Sequence, residues 1–156
     1  EKYSVFVDYA HDEVSLRAIL ELANKIKKTR IIILIGAEGG GRDKKKRPRM
    51  GQVAAELADF VVVSNVDPYD DDPQEIIESI TQAAEKNGKV RNKNLFPIED
   101  RREGIQKALS LAHEDDVVII TGKGAEQSMI IKNRTIPWDD REVVRQELEK
   151  ITFDVV

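Results

Sequence analysis

Short runs of β-branched and aliphatic residues alternate with longer stretches of helical period along this chain, and that alternation restricts the possible architectures more than any other feature. The runs are residues 3–7, 30–35, 60–63 and 117–121, nearly continuous in apolar residues rather than alternating. That pattern predicts strands buried on both faces of a sheet. Residues 13–28 carry Val14, Leu16, Ala18, Ile19, Leu22, Ala23 and Ile26 at the spacing that makes one side of a helix apolar, and residues 50–58 repeat it over a shorter span. Asp72, Asp100 and Asp139 each precede a glutamate by three positions, the order of a helix N-cap and its capping-box partner. They predict helices over 73–87, 101–113 and 140–150, with Pro73 suited to the first helical position. A further short strand is expected around 89–90 or 95–96, and an end hairpin at 129–136 turning at Asn133 and Arg134. The βαβαβα order implies the α/β class: a three-layer, open, mostly parallel Rossmann-like sheet with helices on both faces. No repeat or low-complexity linker interrupts it, so residues 1–156 read as a single domain.

A chain of 156 residues buries enough surface to fold without disulfides or a structural metal, and it contains no cysteine. The longest apolar run, 31–35, has strand length, far below the roughly 20 residues of a membrane helix, and no signal-peptide pattern opens the chain. A cytoplasmic monomer is the expectation. The net charge of −4 argues against a dedicated nucleic-acid binder. The six cations between Arg42 and Arg49 are therefore a local feature.

In open parallel sheets ligands bind in the crevice beyond the carboxyl ends of the strands. The unusual residues of this chain fall there: Asp8 and His11 after the first strand, residues 36–49 after the second, residues 64–69 after the third, and residues 122–126 after the run ending at Thr121. Asp8 and His11 fit either a site or the capping of the helix that comes next. The run Gly39-Gly40-Gly41 departs from the P-loop spacing and lacks its magnesium-holding hydroxyl. An anion site at the helix start near Met50 is favoured over a solvated basic turn, with Arg42 turned inward and Lys44, Lys45 and Lys46 in solvent. Asp67, Asp70, Asp71 and Asp72 lack the ligand spacing of an EF-hand, and helix capping by Asp72 accounts for them better. Gly122 and Gly124 fit an ordinary turn or a crevice wall, and His113 suits a structural place near a helix end. No Ser-His-Asp, Cys-His or zinc constellation can be assembled. The residues alone thus reach an α/β domain with a polar, mixed-charge crevice.

As an ordered set, these loops resemble the C-terminal domain of Mur ligases, and within them the branch that adds the third amino acid to UDP-N-acetylmuramoyl-dipeptide in peptidoglycan synthesis. Val7-Asp8-Tyr9-Ala10-His11 is similar to the family's Asp-Tyr-Ala-His motif. The 36–51 stretch keeps Gly39, Gly40, Arg42, Asp43, Arg47, Pro48, Met50 and Gly51 of the family's glycine-rich loop. Residues 67–73 are similar to its Asp-Asn-Pro-Arg-x-Glu-Asp-Pro loop, residues 122–126 to Gly-Lys-Gly-His-Glu, and residues 138–143 to Phe-Asp-Asp-Arg-Glu-Val. Tyr69 stands where the family arginine pairs the distal carboxylate of meso-diaminopimelate, Asp67 replaces its asparagine, and Ala125 its histidine. Lysine and other diamino acids therefore stay open beside diaminopimelate.

The resemblance implies an ATP-dependent ligase in which ATP phosphorylates a nucleotide-peptide carboxylate and the incoming amine displaces phosphate from the acyl phosphate. It implies that Asp8 binds the ATP ribose and that His11 lies near the phosphates. Arg42, Asp67, Tyr69, Gly122 and Glu126 would hold the amino acid, roles that suit a guanidinium fork for carboxylate and a carboxylate for ammonium. ATP and Mg2+ are the implied cofactors, the metal held mainly outside this domain, and the UDP-muramoyl peptide and an amino acid are the implied partners. In the family the P-loop, a carbamylated lysine and the uridine-nucleotide domain precede this segment. The chain begins almost at its first strand, so an excised C-terminal domain is expected, without the N-terminal nucleotide-sugar and central ATPase domains, that folds but does not turn over ATP. A related polyglutamate- or cyanophycin-forming ligase and a standalone amino-acid or nucleotide binding module are the alternatives.

Overall fold

The computed structural model describes residues 3–153. In chain order the elements are β1 (Ser4–Asp8), α1 (Glu13–Ile26), β2 (Ile31–Ile35), α2 (Lys46–Leu57), β3 (Phe60–Val63), α3 (Pro73–Lys86), β4 (Leu95–Pro97), α4 (Arg101–Ser110), β5 (Val117–Thr121), β6 (Ser128–Ile131), β7 (Arg134–Pro137) and α5 (Asp140–Phe153). Strands β1 to β5 make one parallel sheet with the spatial order β1-β5-β2-β3-β4. Strands β6 and β7 form the expected hairpin, but it turns one residue earlier than expected, at Lys132 and Asn133 in left-handed backbone conformation, and Arg134 already belongs to β7.

The continuous apolar runs feed both faces of the sheet. From β2, Ile31, Ile33 and Ile35 join Leu16, Met50, Val53, Ile76 and Ile80 in a core shared by α1, α2 and α3. The intervening Ile32 and Leu34 join Ile105, Leu109, Val143 and Val144 of α4 and α5 on the opposite face. The three-layer α/β reading of the sequence is thus the observed architecture. Because β5 inserts between β1 and β2, β1 becomes an edge, and Phe6 is left 43% exposed instead of buried on both faces as its run suggested.

Capping fixes most helix starts. Asp72, Asp100 and Asp139 accept backbone N–H groups of Gln74, Glu103 and Arg141 at 2.9 Å, as their positions predict. The reciprocal box forms instead at α1, where Ser15 N–H donates to Asp12 at 2.8 Å and Asp12 N–H donates to the Ser15 hydroxyl at 3.3 Å. The cap of α1 is therefore Asp12, not Asp8 or His11. Helix α2 begins at Lys46, earlier than the expected residue 50. Of the two candidate positions for the short strand, residues 95–97 pair with β3, whereas Val90 forms a turn whose carbonyl accepts the N–H groups of Lys93, Asn94 and Leu95. Helix α4 ends at Ser110, short of His113, whose N–H donates to Asp116 at 2.8 Å.

Candidate functional site

Parallel pairing delivers the loops after β1, β5, β2 and β3 to one edge of the sheet in that spatial order. Asp8 lies opposite Thr121 in the β1–β5 register, which sets the first loop beside Gly122. Gly39 N–H donates to the Asp67 carbonyl at 2.8 Å, stitching the loop after β2 to the loop after β3. Close approach explains two glycines here. A Cβ on Gly40, whose φ is +64°, would stand 2.8 Å from the Tyr69 ring, and one on Gly124, at φ +54°, would stand 3.1 Å from the Tyr9 backbone. The loop after β3 is also tied to the hairpin: Tyr69 N–H donates to Ile130 O at 3.2 Å and Lys132 N–H to Tyr69 O at 2.9 Å. These two bonds hold Tyr69 at φ 53°, an uncommon conformation for an aromatic residue.

Each sequence-derived candidate has a definite place. Asp8 is half-buried and its Oδ1 accepts Ala10 N–H at 2.7 Å, leaving Oδ2 able to accept from a ligand hydroxyl. His11 Nδ1 lies 3.1 Å from Tyr9 O, and its ring sits 4.7 Å from that of exposed Tyr9. Arg42 is exposed, and the neighbouring Tyr69 side chain raises its guanidinium above the ordinary arginine value. Gly122 is buried. Asp67 is buried and engaged at both oxygens, by Ile130 N–H and by Lys123 Nζ, each at 2.8 Å. Glu126 is 41% exposed at its side chain and meets Lys123 at 2.7 Å. The structure therefore brings Arg42 to Tyr69, and Asp67 to Glu126 through Lys123, with Asp8 and His11 on the flank beyond Gly124.

Three residues to which sequence reasoning gave no role organise this edge from beneath. Arg47, 2% exposed, donates to the Glu38 carbonyl at 3.1 Å and approaches Asp71 at 3.5 Å, so the inward cation of the basic run is Arg47 and not Arg42. Lys46 is also withdrawn from solvent, paired with Glu38, whereas Lys44 remains exposed as expected. Arg101, 2% exposed, forks Asp140 at 2.8 and 2.6 Å and donates to the carbonyls of Asn65 and Thr121 at 2.9 and 2.8 Å. Those carbonyls begin the loops that carry Asp67 and Gly122. Lys123, 1% exposed, is the third. A cation within a charged run, as Arg47 and Arg101 are, is no signal of burial, and only the flanking glycines of Lys123 marked its loop as constrained.

The chemistry available at the edge is a carboxylate and an imidazole on one side, and a guanidinium with a half-exposed carboxylate on the other. Together these groups can pair polar ligand groups of either charge. Residues 1–124 match the family model described as Mur ligase, glutamate ligase domain. The chain belongs to this Mur ligase family. A UDP-N-acetylmuramoyl-L-alanyl-D-glutamate–2,6-diaminopimelate ligase from Caldanaerobacter subterraneus subsp. tengcongensis is 44% identical over 146 residues, covering 94% of this chain and 29% of that protein. A solved structure of a ligase of the same name aligns with a TM-score of 0.86 at 29% identity, over 97% of this chain and 30% of the other. A crystallised single domain from Haemophilus ducreyi shares the fold, with a TM-score of 0.55 at 13% identity over 99% of this chain and 93% of its own. This Mur ligase domain thus spans under a third of the length of the curated relatives it matches.

Proposed function

We propose that this chain is the C-terminal domain of an ATP-dependent amide-forming ligase that adds the third amino acid to UDP-N-acetylmuramoyl-dipeptide in peptidoglycan synthesis. The observation that carries the reading is the assembly of the Asp8–His11, Gly39–Arg42, Asp67–Tyr69 and Gly122–Glu126 loops on one sheet edge, in a chain 44% identical to a ligase named for that step. In this reading the free Asp8 Oδ2 accepts from the ATP ribose and His11 lies toward the phosphates. Arg42 takes the carboxylate of the incoming amino acid, while Glu126 takes an ammonium. Tyr69 places a phenol where the family arginine would stand, beside Arg42. Gly122 and Asp67 shape the wall. ATP bound here supplies the phosphoryl group that activates the acceptor carboxylate, and closure of the domain over the other half of the site excludes water from the acyl phosphate. Mg2+ is assigned to the phosphates, held mainly by groups outside this domain.

The test is ADP release by the full-length enzyme supplied with ATP, Mg2+ and UDP-N-acetylmuramoyl-L-alanyl-D-glutamate, with meso-diaminopimelate and L-lysine titrated separately. Amino-acid-dependent ADP release with formation of the UDP-tripeptide is expected. Release that ignores the amino acid, or product formed only on an acceptor without UDP-muramoyl peptide, would defeat the reading. The 156-residue chain alone should release no ADP.

A further inference from the structure

Lys123 is almost fully enclosed, yet its ammonium serves two carboxylates from different places: Asp67 Oδ2 at 2.8 Å from the loop after β3, and Glu126 Oε2 at 2.7 Å from its own loop. The two acids are not equivalent. Asp67 spends its second oxygen on Ile130 N–H and is closed off, whereas the Glu126 side chain is 41% exposed and is held through Oε2 alone. One ammonium against two carboxylates leaves one net negative charge, and it resides on the member that solvent and ligands can reach. Stability alone does not account for the arrangement, because a buried ion pair is commonly no more stabilising than an apolar pair of the same volume. An apolar pair could not grip Glu126.

We propose that Lys123 is the positioning residue of the amino-acid site: it fastens the loop after β3 to the loop after β5 through Asp67, and it fixes the Glu126 carboxylate, with its one uncompensated charge outward, to receive an ammonium of the incoming amino acid. The proposal rests on the ligase reading and sharpens it. Asp67 becomes an anchor that does not touch substrate, and the charge it adds in place of the family asparagine is absorbed by Lys123.

The experiment is steady-state kinetics of the full-length ligase with each substrate varied in turn, the amino acid being whichever of meso-diaminopimelate and L-lysine the wild type uses more efficiently. In Asp67→Asn/Lys123→Met no buried charge is left unpaired, so the fold should survive, read as a melting midpoint near that of the wild type. Glu126 nevertheless loses its grip, and KM for the amino acid should rise about tenfold, the scale of one charge-assisted hydrogen bond, with KM for ATP unchanged. Lys123→Arg keeps the charge but shifts the donors, and it should also raise the amino-acid KM selectively if the double variant does not fold. A wild-type amino-acid KM in either folded variant overturns the proposal, as does a parallel rise for all substrates, which would mark general damage. If wild-type enzyme shows no amino-acid-dependent ADP release, the ligase reading fails and this one with it. If it does and the variants retain its KM, this one fails alone.

Discussion

Removing the Asp140 carboxylate should cost this domain a large part of its stability. Arg101 and Asp140 are 1% and 0% exposed at their side chains, and the carboxylate accepts from Arg101 Nε, Arg101 Nη2 and Trp138 Nε1 at 2.8, 2.6 and 2.7 Å. Asp140→Ala strands a guanidinium in the interior with two carbonyl acceptors and no counter-charge. Breaking such a pair from one side costs about 3–5 kcal/mol, against a total of roughly 5–15 kcal/mol for a domain. With a urea slope of about 2 kcal/mol per M, the unfolding midpoint should fall by about 1.5–2.5 M. Arg101→Met/Asp140→Leu removes both charges, and its deficit should be roughly 2 kcal/mol or less, with what remains arising from the Asn65 and Thr121 carbonyls and the Trp138 indole N–H left unpaired. The assay is urea unfolding of the isolated chain and the two variants, monitored by far-UV dichroism and Trp138 fluorescence. A single variant that loses under about 0.5 M, or a double variant no better than the single, would refute the argument that an uncompensated charge is what costs the stability.

Three further outcomes rest on individual residues. Arg42→Ala in the full-length enzyme should raise KM for the amino acid about tenfold or more while leaving KM for ATP in place; equal rises for both would remove Arg42 from the amino-acid side. Gly40→Ala forces a Cβ against the Tyr69 ring at a φ of +64°, and it should cost about 1–2 kcal/mol in urea unfolding; a neutral result would show that the two loops are not packed as described. Burial pushes the Glu147 carboxyl up, but hydrogen bonds from Lys150, Gln106 and Arg102 outweigh it and hold the group at about 2, below its ordinary 4.5. Its folded value is the depressed one, so its contribution is complete above pH 4.5 and is lost as pH falls toward 2. Glu147→Gln should therefore flatten the acid limb of the stability curve by up to about 1.4 kcal/mol per pH unit, and an unchanged slope across that window would contradict it.

Local pattern decided which features of the chain were legible. Five consecutive aliphatics at 31–35 can satisfy two opposed cores only as an interior strand, and Asp72, Asp100 and Asp139 sit where the free N–H groups of a helix need an acceptor. The candidate loops could also be named, since parallel strands deliver the loops at their carboxyl ends to one edge of the sheet. Other features depend on partners far away in sequence. Phe6 is exposed because β5, more than a hundred residues on, takes the interior place beside β1. Arg47 and Arg101 look like any surface cation until Asp71 and Asp140 arrive to pair with them. The glycine-rich stretch misled for the same reason. Six cations beside three glycines suggested one inward arginine at 42, whereas the backbone turns Arg47 inward and gives Arg42 to the crevice rim.

The buried cations share a geometry that bears on how the site is built. Each reaches a carboxylate on another segment: Arg47 in the first turn of α2 with Asp71, Lys123 after β5 with Asp67, and Arg101 at the head of α4 with Asp140 at the head of α5. A loop joining a strand to a helix has few apolar side chains with which to fix itself, and its carbonyls cannot be buried without donors to satisfy them. Arginine and lysine supply several donors at the end of a long stem, so one side chain can bind a carboxylate and one or two carbonyls of neighbouring loops at once. Arg101 does this for the Asn65 and Thr121 carbonyls, which are the points where the loops after β3 and β5 leave the sheet. The cost is that each such cation must keep its acid. Loss of Asp71 should therefore disturb the fold as well as the site, though less than loss of Asp140, because the Arg47–Asp71 contact at 3.5 Å is longer and leaves Arg47 Nε without a hydrogen bond already. In the full-length enzyme Asp71→Asn should raise the amino-acid KM several-fold, and the urea midpoint of the isolated chain should fall by about 0.5–1.5 M, less than for Asp140→Ala because Asp71 is itself 30% exposed at its side chain. A large midpoint shift with unchanged KM would show that the pair secures the fold instead of the loops.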